Sequence, residues 1–210
     1  MKLLILGASG KIGRPLTEAA LERGYQVHAL VLDAKKLSDI ENERLAIIEG
    51  NATDATVIDK AVRDVDAVIS TLGHNRYTEV EMQSNAMRAL VKAMQQHDVS
   101  RIVSLTGVDV YTTGDVPSLL QRAFAGLLTF LDTKRMQDGV KHVEVLKDSQ
   151  LDWVALRTPK HLSGKKVTDY EVTPRLKGIK FFVRRPNIVD YLLVLAETKE
   201  LPDRMPVISG

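Results

Sequence analysis

A glycine-rich segment near the start of the chain has the spacing of a phosphate-binding loop. Glycines stand at every third position, Gly7, Gly10 and Gly13, between an apolar run at 2–6 and a helical pattern at 11–23. The first glycine permits a tight turn, the second lets a pyrophosphate approach the backbone, and the third lets the helix pack closely on the strand. The free N–H groups at the start of the helix favour negative charge. We therefore expect this loop to bind a dinucleotide.

The kind of dinucleotide depends on the residues that follow the second predicted strand, 26–31. An acid there binds a ribose 2′-hydroxyl, whereas a base binds a 2′-phosphate. Asp33 lies 20 residues after Gly13, near the usual offset for the acid, but Lys35 and Lys36 could meet a phosphate. Alternatively, Asp33 caps a short helix and both lysines are solvated. The expected cofactor is therefore NADP(H) or NAD(H), with the choice left open.

Side chains that could transfer protons follow two of the predicted strands. His74 comes after a strand predicted over 67–70, and His161 after one predicted over 153–156. Parallel sheets bind their ligands where the strands end. Because histidine titrates near neutral pH, either side chain could serve in a substrate pocket.

Other candidate acids and bases are expected to have structural roles. His28 falls within a predicted strand, and His97 ends a predicted helix, where it would compensate charge or cap. Asp138, Lys141 and His142 lie on a long helical region and are expected to be solvated or structural. No histidine and carboxylate share a metal-ligand spacing such as H-E-x-x-H, so we expect no metal site.

Short apolar runs alternate with longer amphipathic stretches, which predicts βα units around a parallel sheet. The predicted strands are 2–6, 26–31, 45–48, 67–70, 101–105, 153–156, 180–183 and 206–208. The predicted helices are 11–23, 55–63, 78–97, a region within 118–149, and 187–198. For the third helix, Thr78 and Glu81 suggest a capping box. Its predicted buried stripe is Val80, Ala86, Met87, Leu90, Val91 and Met94.

The composition fits a globular chain of one domain. The 210 residues include 29 Lys and Arg against 27 Asp and Glu, scattered along the chain, so neither nucleic acid nor an anionic membrane is an expected partner. The absence of cysteine excludes disulfides and thiolate chemistry. The N-terminal apolar run is too short for a signal peptide, and we expect a cytoplasmic protein, monomeric or homodimeric.

Several motifs along the chain occur in the order seen in a known family. The sequence resembles the atypical short-chain dehydrogenases/reductases, in particular the NAD(P)H-binding, NmrA-like group that includes biliverdin-IXβ/flavin reductase. The resemblance implies a doubly wound Rossmann α/β fold, here with residues 157–210 as a small C-terminal cap on a single domain, 1–210. The motifs that carry it are the glycine loop, Leu30-Val31, Glu49-Gly50-Asn51, Asp66–Ile69, Ser104–Gly107 and Leu151–Arg157.

The resemblance also implies which residues contact the cofactor. Leu32 stands where NADP-using members usually have arginine, whereas Lys36 matches a second basic position of the phosphate site. Asn51 replaces an aspartate that meets the adenine, and an asparagine can still hydrogen-bond an adenine edge. The residues implied to hold the pyrophosphate are Gly7, Ser9, Gly10, Lys11, Ile12 and Gly13.

Further implied contacts lie toward the nicotinamide. Leu72 and Gly73 would pass along the cofactor, and Pro159 would face the nicotinamide. Thr106 or Gly107 takes the place of a serine after the fifth strand, and only Thr106 could donate a hydrogen bond to a carbonyl oxygen. Thr106 and His161 are therefore the catalytic candidates.

The tyrosine–lysine pair of typical short-chain reductases is missing, because no tyrosine has a lysine four residues later. Atypical members often lack the pair and pass hydride to an electron-poor acceptor that solvent protonates. The leading expectation is thus a reductase of a small planar acceptor, such as a flavin or quinone. The alternatives are a redox-sensing module that binds NAD(P) without turnover, an NAD-dependent epimerase-like enzyme, and an interaction protein that binds no nucleotide.

Overall fold

The computed structural model describes residues 1–74, 78–117, 133–198, 200 and 203–210. These residues contain ten strands and five α-helices. The strands are β1 (Lys2–Leu6), β2 (Gln26–Val31), β3 (Leu45–Glu49), β4 (Ala67–Ser70), β5 (Arg101–Gly107), β6 (Asp152–Thr158), β7 (Lys160–Leu162), β8 (Glu171–Thr173), β9 (Phe182–Arg184) and β10 (Val207–Ser209). The helices are α1 (Gly13–Glu22), α2 (Ala55–Val62), α3 (Met82–Gln96), α4 (Thr133–Lys147) and α5 (Arg185–Glu197), with a short 3-10 helix at Ala34–Leu37.

Eight strands form one sheet in the order β3-β2-β1-β4-β5-β6-β10-β8. All neighbours in it are parallel except β8, which runs antiparallel to β10. From β1 the chain winds outward to β3, and it then returns to β4 on the other side of β1. This reversal confirms the predicted doubly wound Rossmann fold, and it opens a crevice between the carboxyl ends of β1 and β4.

The central strands are buried on both faces. Leu3 and Ile5 of β1 pack in one apolar cluster, with residues of α1 and α5, whereas Leu4 and Leu6 pack in another, with residues of α2 and α3. All four side chains are fully buried. Each contributes about 1.5–3 kcal/mol of transfer free energy, and this two-sided burial explains why the run is continuous rather than alternating.

The predicted capping box at the start of α3 is wrong. Glu81 occupies the N-cap position, but its side chain makes no capping hydrogen bond. The cap comes instead from Asp138 on α4, whose carboxylate accepts the N–H groups of Gln83 at 2.8 Å and Ser84 at 3.1 Å. A cap supplied from a residue so far along the chain leaves no local sequence signal.

The other predicted helices differ from the observed ones mainly at their ends. Val80 precedes α3 and is 37% exposed, so its place in the buried stripe was wrong. The helical region predicted over 118–149 contains α4, and residues 118–132 lie outside the described part of the chain. In that described part, no helix combines the length and the apolar character needed to cross a membrane.

The C-terminal residues build two structures beyond β6. Strands β10 and β8 extend the main sheet, and β7 pairs with β9 in a separate parallel two-stranded sheet. The strand predicted over 180–183 is observed as β9, and that predicted over 206–208 as β10. Strands β7 and β8 were not predicted, because each is three residues long and carries no buried apolar run.

Candidate cofactor and substrate site

The glycine loop joins β1 to α1 beside the crevice. Gly7 has a φ of +72°, a left-handed conformation that residues with side chains rarely adopt. The N–H of Gly10 donates to the Gly7 carbonyl oxygen at 2.9 Å. A Cβ at Gly13 would lie 2.1 Å from that same oxygen and 2.8 Å from Ala8 Cα. The loop therefore has the tight turn and close helix packing expected of a phosphate-binding loop.

The start of α1 is open to an anion. Ile12 precedes the helix and provides no side-chain cap, and the first turn contains no acidic residue. Gly10 and Lys11 are exposed, and Ser9 is half-buried. The positive end of the helix dipole thus faces the loop that is expected to bind a pyrophosphate, although the Arg14 N–H already donates to the Gly10 carbonyl oxygen.

The loop after β4 packs directly against the glycine loop. Thr71 Oγ1 donates to the Leu6 carbonyl oxygen at 2.9 Å, and it would lie 3.2 Å from a Cβ at Gly7. The carbonyl oxygen of Leu72 accepts a hydrogen bond from Gln83 Nε2 at 2.7 Å, and Gly73 is exposed. Leu72 and Gly73 therefore border the crevice, and their contact with a cofactor remains a proposal. Sequence reasoning did not single out Thr71.

The residues proposed for the 2′ position lie after β2 on the surface. Leu32 is 68% exposed, and Lys36 is exposed as well. Asp33 Oδ1 accepts the N–H of Lys35 at 3.0 Å and so caps the 3-10 helix, as the structural alternative had it. Ligand contacts by Leu32, Asp33 and Lys36 remain proposals.

Arg14 borders the same surface and was missed by the sequence reasoning. Its guanidinium donates to the carbonyl oxygen of Lys36 at 2.9 Å and to both carboxylate oxygens of Asp39. The pKa of Asp39 is lowered by this hydrogen-bonded guanidinium. Its place directly after the third glycine was a usable sequence signal.

Asn51 lies two residues after β3, the edge strand on the far side of β2 from the crevice. It is exposed, and its Oδ1 accepts the N–H of Thr53 at 3.0 Å. Gly50 fits between the strand and α2, since a Cβ there would lie 2.6 Å from Val57 Cγ1. The side-chain amide N–H groups of Asn51 are thus the groups that could reach an adenine edge.

Strands β5 and β6 end side by side on the far side of the crevice. Gly107 pairs with Thr158 at the last rung of these strands. Thr106 is buried, and its carbonyl oxygen accepts a hydrogen bond from Thr158 Oγ1 at 3.2 Å. Pro159 follows directly and is buried. The structure thus brings Thr106, Gly107 and Pro159 together at the carboxyl edge of the sheet, and their catalytic or cofactor roles remain proposals.

His161 lies beside these residues in β7. Its Nε2 is 2.8 Å from Thr158 Oγ1, and that hydroxyl already donates its proton to Thr106. The geometry therefore assigns the ring proton to Nε2 as the donor. Burial, together with the positive charge of Arg185, lowers the pKa of His161, which keeps the ring neutral. Among the described residues, the buried Nε of Arg185 has no hydrogen-bond partner.

A buried ion pair fixes the loop that follows β5. Arg157 Nη1 donates to Asp115 Oδ2 at 2.6 Å, and both side chains are almost completely buried. The same guanidinium donates to the carbonyl oxygens of Met205, Val110 and Pro174. Burial would raise the pKa of Asp115, but the hydrogen bond from Arg157 and two backbone N–H groups hold it below its ordinary value. Arg157 belonged to a predicted motif, but its partner was not predicted.

The candidates on α4 divide between core and surface. Asp138 is buried and, besides capping α3, lies 2.9 Å from His74 Nε2. His142 is buried between Ser104 Oγ and the Gly139 carbonyl oxygen, and burial lowers its pKa to about 4. Asp138 and His142 are thus structural.

Two further residues complete this region. Lys141 pairs on the surface with Glu81 at 2.7 Å, so it is solvated as expected. The other ring nitrogen of His74 lies 3.3 Å from Thr78 Oγ1, so both of its nitrogens contact protein groups. Within the described ranges, no group of three or more His, Asp or Glu side chains could hold a metal ion.

Comparisons with solved structures agree with this architecture. A short-chain dehydrogenase/reductase of Veillonella parvula, solved in complex with NADP, matches with a TM-score of 0.80 at 22% identity, covering 100% of this chain and 94% of that one. An anaerobilin reductase of Escherichia coli O157:H7 matches with a TM-score of 0.81 at 21% identity, covering 100% and 97%. At these identities the likeness shows the fold.

Sequence comparison identifies the family. Phenylcoumaran benzylic ether reductase PT1 of Pinus taeda is 32% identical over 98 residues, which are 42% of this chain and 31% of that protein. The chain spans about a third of the length of the first curated relatives that it matches. A family model described as NAD(P)H-binding matches residues 7–198, from the glycine loop to the end of α5. The chain therefore belongs to this NAD(P)H-binding family, and its cofactor is NAD(P)(H).

Proposed function

We propose that the protein is an NAD(P)H-dependent reductase of a small planar acceptor such as a flavin or a quinone. The observation that carries the proposal is the arrangement of the carboxyl edge. The glycine loop, with Gly7 at φ +72° and Gly13 in contact distance of the Gly7 carbonyl, borders one side of the crevice. The ends of β5 and β6 border the other side, where a nicotinamide and its acceptor would meet.

The protein's part in this reaction is to bind and orient. The start of α1 would hold the pyrophosphate through backbone N–H groups, and Leu72 and Gly73 would flank the cofactor. NAD(P)H, once bound, supplies the hydride. Thr158 Oγ1 donates a hydrogen bond to the Thr106 carbonyl oxygen at 3.2 Å, and Pro159 is buried beside them. The face that would contact a nicotinamide is therefore rigid. A rigid edge favours hydride transfer by fixing the distance between donor and acceptor.

The choice of acceptor class follows from what the sequence lacks. Without a tyrosine four residues before a lysine, the chain has no phenol activated for carbonyl reduction. An electron-poor, planar acceptor can be reduced without a tyrosine phenol of lowered pKa. Named relatives include a reductase of an aromatic ether, and a structural neighbour is an anaerobilin reductase, which favours flat conjugated substrates.

Turnover tests the proposal directly. Purified protein, freed of carried-over nucleotide, is mixed with NADPH or NADH and with FMN, biliverdin, dichlorophenol-indophenol or a quinone, while absorbance of the reduced cofactor is followed. We expect oxidation above the protein-free background with at least one acceptor. Cofactor binding without turnover of any acceptor would replace the proposal with a redox-sensing module, and titration calorimetry with both nucleotides makes that distinction.

A further inference from the structure

An aspartate covers the glycine that ends β5. A Cβ built on Gly107 would lie 2.0 Å from Asp109 Oδ1 and 3.1 Å from its Cγ. The Asp109 carboxyl therefore folds back over Gly107 and fills the place that a side chain of residue 107 would take. Gly107 does not have a positive φ, so its backbone does not require glycine. Residue 107 must be glycine because any side chain there would overlap the Asp109 carboxyl.

The Asp109 carboxyl is in a dry, weakly charged environment. The residue is half-buried, and burial raises its pKa, opposed only by a hydrogen bond from its own backbone N–H. Arg157 and Asp115 face the same loop but are paired with each other at 2.6 Å. A carboxyl in such surroundings holds its proton to higher pH than one in water.

Charged groups on the neighbouring elements do not neutralise this carboxyl. On α4, His142 faces Ser104, and Asp138 faces His74 and the start of α3. After β6, His161 faces Thr158. Among the described residues, Asp109 is thus a carboxyl near the end of β5 that neither forms an ion pair nor caps a helix.

We propose that Asp109 is the proton donor for the acceptor, an inference that rests on the proposed reductase function. In the reaction, hydride from C4 of the nicotinamide adds to a double bond of the acceptor. The electron pair of that double bond moves to an acceptor heteroatom. The Asp109 O–H bond breaks, its proton goes to that heteroatom, and the carboxylate regains a proton from water. NAD(P)H, acceptor and one proton thus give NAD(P)⁺ and the reduced acceptor.

The neighbouring side chains are poorer donors. The Nε2 proton of His161 is committed to Thr158, and its neutral ring offers Nδ1 as an acceptor. The hydroxyl of Thr106 is a far weaker acid than any carboxyl. Asp109 lies two residues after the end of β5, with its carboxyl against Gly107, the strand end that borders the site together with Pro159, so it is the group placed to supply a proton.

The first test replaces the acid by its amide. In Asp109→Asn, we expect kcat/KM for the acceptor to fall by about 10²–10⁴-fold, with an unchanged Kd for NADPH. The wild-type rate should fall as pH rises through the Asp109 pKa, and the variant should lack that dependence. A carbon-13 NMR titration of the Asp109 carboxyl gives its pKa independently of turnover. Asp148→Asn, at the exposed turn residue directly after α4, is the matched control and should keep wild-type kcat/KM.

The second test exploits the geometry at Gly107. Gly107→Ser alone would force its side chain into the Asp109 carboxyl and should lower activity. In the double variant Gly107→Ser with Asp109→Ala, a serine side chain fills the vacated place, but its hydroxyl is a far weaker acid than a carboxyl, so we expect none of the kcat/KM lost in Asp109→Ala to return. If Asp109 only filled space beside the strand end, the serine would replace that packing and activity would recover, which would overturn the proton-donor role.

The outcomes separate this inference from the proposed function. If the wild-type protein reduces no acceptor, both fail. If it turns over and Asp109→Asn retains wild-type kcat/KM and pH dependence, only the proton-donor role is overturned. A variant that loses NADPH affinity along with activity also overturns the role, because it marks Asp109 as structural.

Discussion

The two sides of the crevice are built by different means. The glycine-loop side, at the ends of β1 and β4, consists mainly of backbone: a left-handed glycine, a helix start without a side-chain cap and a close glycine–carbonyl contact. The β5–β6 side is held by side chains from distant parts of the chain, above all Arg157 with Asp115. The first kind of site serves any dinucleotide, whereas the second can vary with the substrate. Under the proposed function, cofactor binding would thus depend mainly on backbone geometry, and substrate specificity on side-chain contacts.

Removing Arg157 should have the largest effect on the β5–β6 side. Arg157→Met leaves the buried Asp115 carboxylate without its cation, and we expect the free energy of unfolding to fall by about 3–5 kcal/mol. Urea denaturation at pH 7 measures this. The double variant Arg157→Met with Asp115→Leu should be less destabilised than the single variant. Equal stability of wild type and Arg157→Met would show that side-chain contacts do not hold this side together.

A methyl group at Gly13 tests the backbone character of the other side. Gly13→Ala places a Cβ 2.1 Å from the Gly7 carbonyl oxygen, so the loop must shift. We expect a loss of stability of about 3 kcal/mol and a fall in NADPH affinity, measured by denaturation and calorimetry. Gly139→Ala is the matched control: its nearest neighbour is Val110 Cγ2 at 3.9 Å, and helix propensity should stabilise it by about 1 kcal/mol. Normal NADPH binding by Gly13→Ala would contradict the assignment.

His142 makes the β5–β6 side sensitive to acid. Its folded pKa of about 4 lies below its unfolded value of 6.5, so the unfolded chain binds a proton that the folded chain does not. Stability should therefore be unaffected above the unfolded pKa and fall by about 1.4 kcal/mol per pH unit as pH drops from 6.5 toward 4. His142→Gln should lose this part of the slope. An NMR titration of the ring with a midpoint near 6.5 would rule the explanation out.

The smallest change concerns cofactor choice. Leu32 is 68% exposed, so Leu32→Arg should leave stability within about 0.5 kcal/mol of wild type. The family resemblance implies a 2′-phosphate contact at residue 32, so with the new guanidinium we expect NADPH affinity to rise by about tenfold relative to NADH. Calorimetry with both nucleotides measures the ratio. An unchanged ratio of NADPH to NADH affinity would show that residue 32 does not contact the 2′-phosphate.

What could be predicted from sequence follows the same division. The bounds of β1, β2 and β4 were predicted correctly, because continuous apolar runs between turn residues reflect burial on both faces. The glycine loop was identified because its requirements are local and every third residue shows them. The cap of α3 by Asp138 and the Asp115–Arg157 pair could not be predicted, since each joins residues more than forty positions apart in the chain. Asp109 was overlooked because its carboxyl lies against Gly107, and a glycine has no side chain that would mark such a contact in the sequence.

The position of β10 has a consequence for synthesis of the protein. Residues 207–209 pair between β6 and β8, although both of those strands precede them in the chain. While the polypeptide is still emerging from the ribosome, β6 therefore presents an open edge of unpaired backbone groups, and β8 has no strand to join. Nascent chains halted before residue 207 should be the form most prone to aggregate and most in need of a chaperone.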